Sequence, residues 1–261
     1  MAAPRGRNAL PQRKDEGGYY VLAVFAPLSV NQEVNQYTLD SSTSPMTSDV
    51  TLYGLSRSVY TRIARLALEE KGVDYELNEI EIFGNNGVPA DHLRRHPFGR
   101  IPALQHGEFS LYETGAITRY VDEGFSGPAL QPTEGRRRAR MNQVIGLLDA
   151  YAYRPMVWGI FVQRVRIPLQ GGKSDEETIR KSIPIVETCL DCLEGFLERQ
   201  SFLAGESLTL ADLHTAPMLL YLLLAEEGRT LVSKRARLNR WLDTMRGRRS
   251  IGRTTTVYEQ A

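Results

Sequence analysis

The stretch from Val50 to Gly72 constrains the fold most, because it predicts a short strand, a tight loop and a helix in immediate succession. Residues of alternating character before Gly54 are typical of a strand. The helix is predicted by apolar residues that recur at intervals of three and four: Val59, Ile63, Leu66 and Ala67. Lys71 in the last turn and Gly72 directly after it are the usual signals of a helix end. Ser58 is therefore predicted to lie at the first turn of this helix, where a bound anion is favoured.

Strand-like and helix-like stretches continue to alternate up to Gly124. The period-two stretch 75–82 predicts a second strand, and residues 101–104 and 109–112 predict a hairpin. Helical spacing follows from Glu113 onward. This order is typical of a mixed sheet in a small α/β domain.

Beyond Gly124 the sequence changes character, since a connector rich in Gly and Pro leads into a segment without strand signals. Helices are expected there in four places, at about 134–165, 175–199, 209–224 and 234–246. The fold class predicted is thus α/β plus all-α. Its domains are an α/β domain at 46–124, a linker at 125–134, an all-helical domain at 135–250 and a tail at 251–261.

The sequence from Thr209 to Asp212 fits a capping box at the start of a helix. In this motif the Thr209 hydroxyl accepts from an early helical N–H, while Asp212 reaches back to the cap. Asp212 is therefore expected to have a structural role.

Residues 1–45 differ from the rest in composition, because they combine Pro, Gly, Asn, Gln and charged residues with a single apolar patch at 19–28. We interpret them as a disordered arm, or as the region before an alternative start at Met46.

Composition narrows the possible partners. The chain has 261 residues, a hydrophobic fraction of 42% and a formal net charge of +1. This charge gives no general electrostatic case for nucleic acid or for an anionic membrane. No apolar run approaches the roughly 20 residues needed to span a bilayer, so we expect no membrane partner. The two cysteines cannot form a disulfide framework, which suits a cytoplasmic location.

Metal and redox chemistry are not expected. The four histidines lack metal-ligand spacing, so no metal site is predicted. Cys189 and Cys192 form a CxxC pattern, but it falls inside a predicted helix, and we interpret the pair as helix packing.

Four motifs occur in order and at sensible spacing from about Val50 to Ser250. They are Ser58 with the helix end at 64–72, the sequence PFGRIPAL at 97–104, YETGAI at 112–117 and FLAGESLTLAD at 202–212. Together they resemble a cytosolic glutathione S-transferase, most closely the serine-type theta and phi classes and their bacterial relatives. The resemblance implies a thioredoxin-like N-terminal domain that binds glutathione, a helical-bundle C-terminal domain that supplies most of the electrophile pocket, and a homodimer with Phe98 as a candidate wedge.

The resemblance also implies roles for individual residues. Ser58 would donate a hydrogen bond to the glutathione sulfur and keep it as a thiolate. Ile101, held by a cis bond to Pro102, would offer its backbone to the cysteinyl unit. Glu113 and Thr114 would bind the γ-glutamyl ammonium and carboxylate.

Thr114 replaces the serine more usual in the family, a mild change, and two other departures from the family pattern matter more. Arg100 stands where many relatives have a glutamine that contacts glutathione. The resemblance implies that the Arg100 side chain would make this contact here. The loop at 83–88 lacks the His-Lys pair that phi enzymes use near the glycyl carboxylate. Arg94, Arg95 or His92 are candidates to replace that pair.

Several alternatives stay open at this stage. Ser56 is the rival hydroxyl to Ser58. The aromatic residues at 151, 153, 158 and 161 either line an electrophile pocket or pack in the core. The favoured function is conjugation of glutathione to small hydrophobic electrophiles. The alternatives are a glutathione-dependent peroxidase, isomerase or dehalogenase on the same fold, and a non-catalytic ligand-binding module.

Overall fold

A computed structural model describes residues 49–84 and 87–260. The arm expected at 1–45 lies outside the described residues. The described part forms a small sheet with helices, followed by a helical domain, which confirms the predicted fold class.

The described residues contain a four-stranded sheet in the order β2-β1-β3-β4. The strands are β1 (Val50–Gly54), β2 (Glu76–Glu79), β3 (Ala103–His106) and β4 (Phe109–Tyr112). Strand β2 runs parallel to β1, whereas β3 is antiparallel to both β1 and β4. The accompanying helices are α1 (Val59–Lys71), α2 (Ala90–Arg95) and α3 (Thr114–Gly124).

The register of the sheet decides which loops meet. Tyr53 of β1 lies opposite Ala103 of β3, and Ala103 lies opposite Tyr112 of β4. Because β3 is antiparallel to its two neighbours, the end of β1, the start of β3 and the end of β4 share one edge of the sheet. Neighbouring strands lie about 4.8 Å apart. The residues just outside these three strand ends are therefore within reach of one small ligand.

Helix α1 begins and ends as its sequence predicts. Ser58 is the N-cap, and Gly72 follows the helix with a φ of 67°, which a glycine adopts without strain. The junction with β1 is tight, since a Cβ on Gly54 would lie 2.4 Å from Thr61 Oγ1. Glycine at position 54 therefore lets α1 pack directly on the end of β1.

One hydrophobic core runs through both domains. Ile63 and Leu66 of α1 are fully buried in the same cluster as Leu213 and Met218 of the helical domain. Burial on both sides makes α1 the central element of the structure.

The helical domain differs from the four expected helices in its long first helix and in a further helix at 226–233. Its α-helices are α4 (Gly135–Leu147), α5 (Ile167–Leu169), α6 (Glu176–Phe196), α7 (Leu210–Leu222), α8 (Glu226–Ser233), α9 (Ala236–Arg246) and α10 (Arg249–Arg253). Between α4 and α5 the chain forms two π-helical segments, Leu148–Ala152 and Arg154–Arg166. The Tyr153 N–H accordingly bonds Leu148 O, five residues back. Pro155 has no N–H to continue an ordinary α-helical ladder, which favours a wider turn there.

The end of the chain also differs from the expected tail at 251–261. Residues 249–253 form α10, and Val257–Glu259 forms a 3₁₀ turn. The buried Arg62 of α1 donates to Glu259 Oε1 at 2.6 Å and to Thr254 Oγ1 at 3.3 Å. A buried guanidinium must be paired, so these contacts anchor the C-terminal segment on α1.

Asp212 occupies the capping box at the start of α7, as the sequence predicts. Its carboxylate is fully buried and accepts from the amides of Leu203 and Thr209, from the Thr209 hydroxyl and from Trp241 Nε1, all at 2.9 Å. It therefore joins α7 to α9 and to the loop at 202–205.

Replacing Asp212 with Ala should lower the free energy of unfolding by at least about 3 kcal/mol, because four buried donors lose their acceptor. Urea unfolding followed by circular dichroism measures this. The matched control is Asp175→Ala, which removes an exposed capping carboxylate from α6. Water can replace that carboxylate, so its loss should be clearly smaller. Equal losses for the two variants would contradict the structural role of Asp212.

Candidate functional site

Ser58 lies where β1 leads into α1, with its hydroxyl at the helix N-terminus. The hydroxyl oxygen accepts from the Thr61 amide at 3.3 Å, and the Ser58 carbonyl accepts the first helical bond, from Arg62 N at 2.9 Å. Within residues 49–84 and 87–260, the hydroxyl donates to no protein acceptor. Its proton is thus available to an anion placed at the positive end of α1.

Ser56 occupies a different position. It lies in the turn before the helix, where its backbone N–H donates to the Glu79 carboxylate at 3.0 and 3.2 Å. It does not cap α1, and it does not line the cavity described below. The structure therefore places Ser58, and not Ser56, at the helix N-terminus.

Residues 100–102 directly precede β3, at the edge of the sheet where β1 and β4 end. Ile101 and Pro102 are buried and joined by a cis peptide bond, as the sequence motif implies, whereas the Arg100 side chain is exposed. Burial raises the pKa values of Tyr60 and Tyr153, and the positive charge of Arg100 opposes this rise in both, so its guanidinium lies on the side of these two residues.

Two buried histidines of the α2 region, His92 and His96, lie near this segment. His92 Nε2 lies 2.6 Å from the Arg100 carbonyl oxygen and fixes the peptide that precedes Ile101. Burial, together with His92 and Arg100, lowers the pKa of His96 to about 4. His96 is therefore neutral at pH 7.

Glu113 and Thr114 lie at the end of β4, where α3 begins. Glu113 is the one non-glycine residue of the described chain with a positive φ, 72°, and its side chain is exposed. Such a conformation costs about 1–3 kcal/mol and is typical of functional sites. Thr114 is buried in the first turn of α3. These residues thus place a carboxylate and a helix N-terminus at the same sheet edge as Ser58.

A cavity of about 50 Å³ lies beside Ser58 between the sheet and the helical domain. It is lined by Leu55, Arg57, Ser58, Val59, Phe83, Tyr153, Val157, Trp158, Phe161, Val162, Arg166, Tyr221 and Tyr258. Of the aromatic residues left open by the sequence, positions 153, 158 and 161 line this cavity. Tyr151 does not, and its side chain is 66% exposed.

The aromatic side chains of the cavity form two groups. Phe83 and Trp158 meet edge to face, with ring centroids 6.2 Å apart, and both are partly exposed. Phe161 and Tyr221 stack at 4.6 Å, and Tyr258 meets Phe161 edge-on at 5.2 Å. Tyr221 also donates to the Arg57 carbonyl at 2.7 Å, which ties the loop before Ser58 to α7.

The three residues expected to replace the missing His-Lys pair do not line this cavity. His92 is buried against Arg100, Arg94 donates to Asp91, and the Arg95 guanidinium lies 4.1 Å above the Tyr53 ring. Arg57 and Arg166 do line it, and sequence reasoning missed both. The available signal was the position of Arg166 on the same helix as Trp158.

Tyr60 does not offer a second hydroxyl to this cavity. It donates to Asp149 Oδ1 at 2.9 Å, and His214 Nε2 lies 2.8 Å from the same oxygen. Burial and then the nearby Asp149 raise the pKa of Tyr60. Burial alone would raise the pKa of Asp149, but its bonds to His214 and Tyr60 lower it. The Tyr60 proton is therefore already held by a carboxylate.

No helix within residues 49–84 and 87–260 is both long and apolar enough to cross a membrane. No group of three or more His, Cys, Asp or Glu side chains in that part of the chain is arranged to hold a metal ion.

Comparison with known proteins relates this geometry to a family. The family model "Glutathione S-transferase, N-terminal domain" matches residues 48–123, and "Glutathione S-transferase, C-terminal domain" matches residues 176–244. Glutathione S-transferase 4 of Zea mays is 31% identical over 200 residues, covering 75% of this chain and 86% of its own. Glutathione S-transferase F6 of Arabidopsis thaliana is 30% identical over 203 residues, covering 77% and 96%.

A solved structure of glutathione S-transferase I from maize, in complex with an atrazine glutathione conjugate, is similar in fold. Its TM-score is 0.71 at 27% identity, with 78% of this chain and 95% of that chain covered. Two family models, relatives matched over most of their length and this shared fold agree with one another. The chain therefore belongs to the glutathione S-transferase family.

Proposed function

We propose that this glutathione transferase is of the serine type and that Ser58 activates the glutathione thiol. The observation that carries the proposal is the free proton of the Ser58 hydroxyl at the N-terminus of α1. A hydrogen bond from Ser58 and the positive helix end both stabilise a thiolate relative to a thiol. The thiolate sulfur then attacks an electrophilic carbon, the leaving group departs, and the thiol proton passes to solvent.

The sheet edge supplies partners for the rest of the peptide. Ile101 offers its backbone at the start of β3, where the cysteinyl unit of glutathione can pair like an added strand. Glu113 provides a counter-charge for the γ-glutamyl ammonium, while Thr114 and the N-terminus of α3 accept the γ-glutamyl carboxylate. Arg100 is exposed at the same edge, and its positive charge suits a carboxylate of glutathione.

The cavity supports small hydrophobic electrophiles as the second substrate. Most of its lining is apolar or aromatic, and Ser58 lies on its wall. The similar solved structure of maize glutathione S-transferase I is a complex with an atrazine glutathione conjugate. A detoxifying role in the cytoplasm fits this chemistry and the two free cysteines.

Replacing Ser58 with Ala should raise the thiol pKa of bound glutathione by about one to two units, because a hydrogen bond to a charged partner contributes about 1.5–3 kcal/mol. Turnover should fall, while glutathione affinity should change little, since residues 101, 113 and 114 are untouched. Ultraviolet titration of the thiolate in the bound complex measures the shift.

Ser56→Ala is the matched control and should leave that titration unchanged. If Ser56→Ala shifts the pKa and Ser58→Ala does not, Ser56 is the activating residue. If neither variant shifts it, the serine-type mechanism is wrong.

We also propose a homodimer in which Phe98 is an anchor. Phe98 is 72% exposed and lies 6.4 Å from Tyr112 and 6.3 Å from His96, ring to ring. Leu93 nearby is 42% exposed, so this surface presents two large apolar side chains to solvent. Exposed apolar patches of this kind mark protein interfaces, and aromatic anchors dominate their energetics.

Phe98→Ser should weaken dimerisation by about thirtyfold or more, which corresponds to about 2 kcal/mol for an aromatic anchor. Sedimentation equilibrium measures the dissociation constant. Val257→Ser is the control, because it removes a 60% exposed apolar side chain from the C-terminal segment. A wild-type protein that sediments as a monomer at micromolar concentration would contradict the dimer.

A further inference from the structure

Arg166 is a partly buried arginine whose hydrogen-bonding capacity is not used. Its guanidinium carbon lies 4.8 Å above the centre of the Phe83 ring. Within residues 49–84 and 87–260, its side chain makes no hydrogen bond and no ion pair. Arg164 on the same helix, by contrast, donates to both Glu176 and Glu227. A guanidinium has five N–H donors in a planar fork that matches a carboxylate.

The charges around Arg166 leave a positive excess at the mouth of the cavity. Arg57, which also lines the cavity, is paired with Glu81. Burial raises the pKa of Glu81, but bonds from the Phe83 amide and Arg57, together with the charge of Arg166, lower it. Glu81 is therefore ionised, and two guanidinium groups face one carboxylate. One positive charge remains without a partner among these residues.

The aromatic lining of the cavity favours a flat, aromatic ligand. Phe83 and Trp158 are 48% and 38% exposed and Arg166 lies against Phe83, so these three residues form the mouth of the cavity, whereas Phe161 is buried in its wall. Its volume of about 50 Å³ is far below the roughly 300–1,000 Å³ of a pocket that encloses a drug-sized ligand. A ligand whose reacting carbon lies near Ser58 must therefore extend into the mouth.

We propose that Arg166, with Arg57 beside it, binds a carboxylate at the mouth of this cavity. The inference rests on the proposed function, because Ser58 marks where the glutathione sulfur lies. One source of the carboxylate is an aromatic electrophile that carries an acidic group, which the aromatic walls would hold flat. The other is the glycyl end of glutathione itself. The chemistry recognised is the same in both cases.

The test compares Arg166→Gln with wild type on a matched pair of electrophiles, 4-(bromomethyl)benzoate and its methyl ester. The glutathione thiolate attacks the benzylic carbon, the carbon–bromine bond breaks and bromide leaves. If the electrophile supplies the carboxylate, kcat/KM for the acid should fall by roughly ten- to a hundredfold. The value for the ester should change by less than about threefold. Arg240→Gln is the control, since it removes an exposed arginine that does not line the cavity.

A second experiment tests whether the carboxylate bound by Arg166 is the glycyl carboxylate of glutathione. With the methyl ester as electrophile, the KM for glutathione is compared with the KM for its glycine ethyl ester. If Arg166→Gln raises only the KM for glutathione, by about tenfold, the carboxylate is the glycyl one. If the variant changes both electrophiles and both thiols equally, or changes none of them, the carboxylate site is overturned.

Direct measurement of ligand binding tests the carboxylate site independently of transferase activity. Quenching of tryptophan fluorescence by 4-methylbenzoate needs no thiol chemistry, because this molecule has no leaving group, and Trp158 lines the cavity. The same titration with glutathione and with its glycine ethyl ester covers the glycyl source. If Arg166→Gln binds a carboxylate ligand more weakly than wild type but binds the ester of that ligand equally well, the site is supported even in the absence of turnover. Unchanged binding of both carboxylate ligands overturns it, while normal turnover of the methyl ester by wild type would leave the transferase assignment standing.

Discussion

The hydrogen-bonded register of β1, β3 and β4 is the constraint on which the site depends. Tyr53, Ala103 and Tyr112 lie side by side, so the loops that follow β1 and β4 meet the loop that precedes β3. A slip of one residue would turn every side chain of a strand to the opposite face and separate these loops. The buried alternation of β1 makes such a slip costly, because Val50 and Leu52 would leave the core. The edge that holds the candidate glutathione site is thus fixed by core packing.

The contacts between the domains hold this edge against the helical domain. Tyr221 of α7 bonds the carbonyl of Arg57, directly before Ser58. Arg62, one turn further along α1, is paired with Glu259 near the end of the chain. Sites built on rigid elements and supported by such contacts keep their geometry better than sites on free loops.

The sequence predicts much of this because the relevant signals are local. The caps at Ser58 and Gly72 and the capping box at Thr209 each act within a few residues, and the structure has all three. The remaining features depend on distant contacts or on backbone detail. The pairing of Arg62 with Glu259 joins segments that no periodicity connects, so the C-terminal segment resembled a tail. The π-helical turns around Tyr153 change the number of residues per turn, so helical spacing could not show that Tyr151 faces solvent. The position of Arg166 could not be predicted from local signals, because it depends on a contact with Phe83 from the other domain.

The most direct test of the central claim is a crystal structure of the protein with glutathione bound. If Ser58 activates the thiol, the sulfur lies within hydrogen-bond distance of Ser58 Oγ, with the cysteinyl backbone beside Ile101 and the γ-glutamyl end at Glu113 and Thr114. A peptide bound away from the shared edge of β1, β3 and β4, or a sulfur that contacts Ser56 in place of Ser58, would contradict the account.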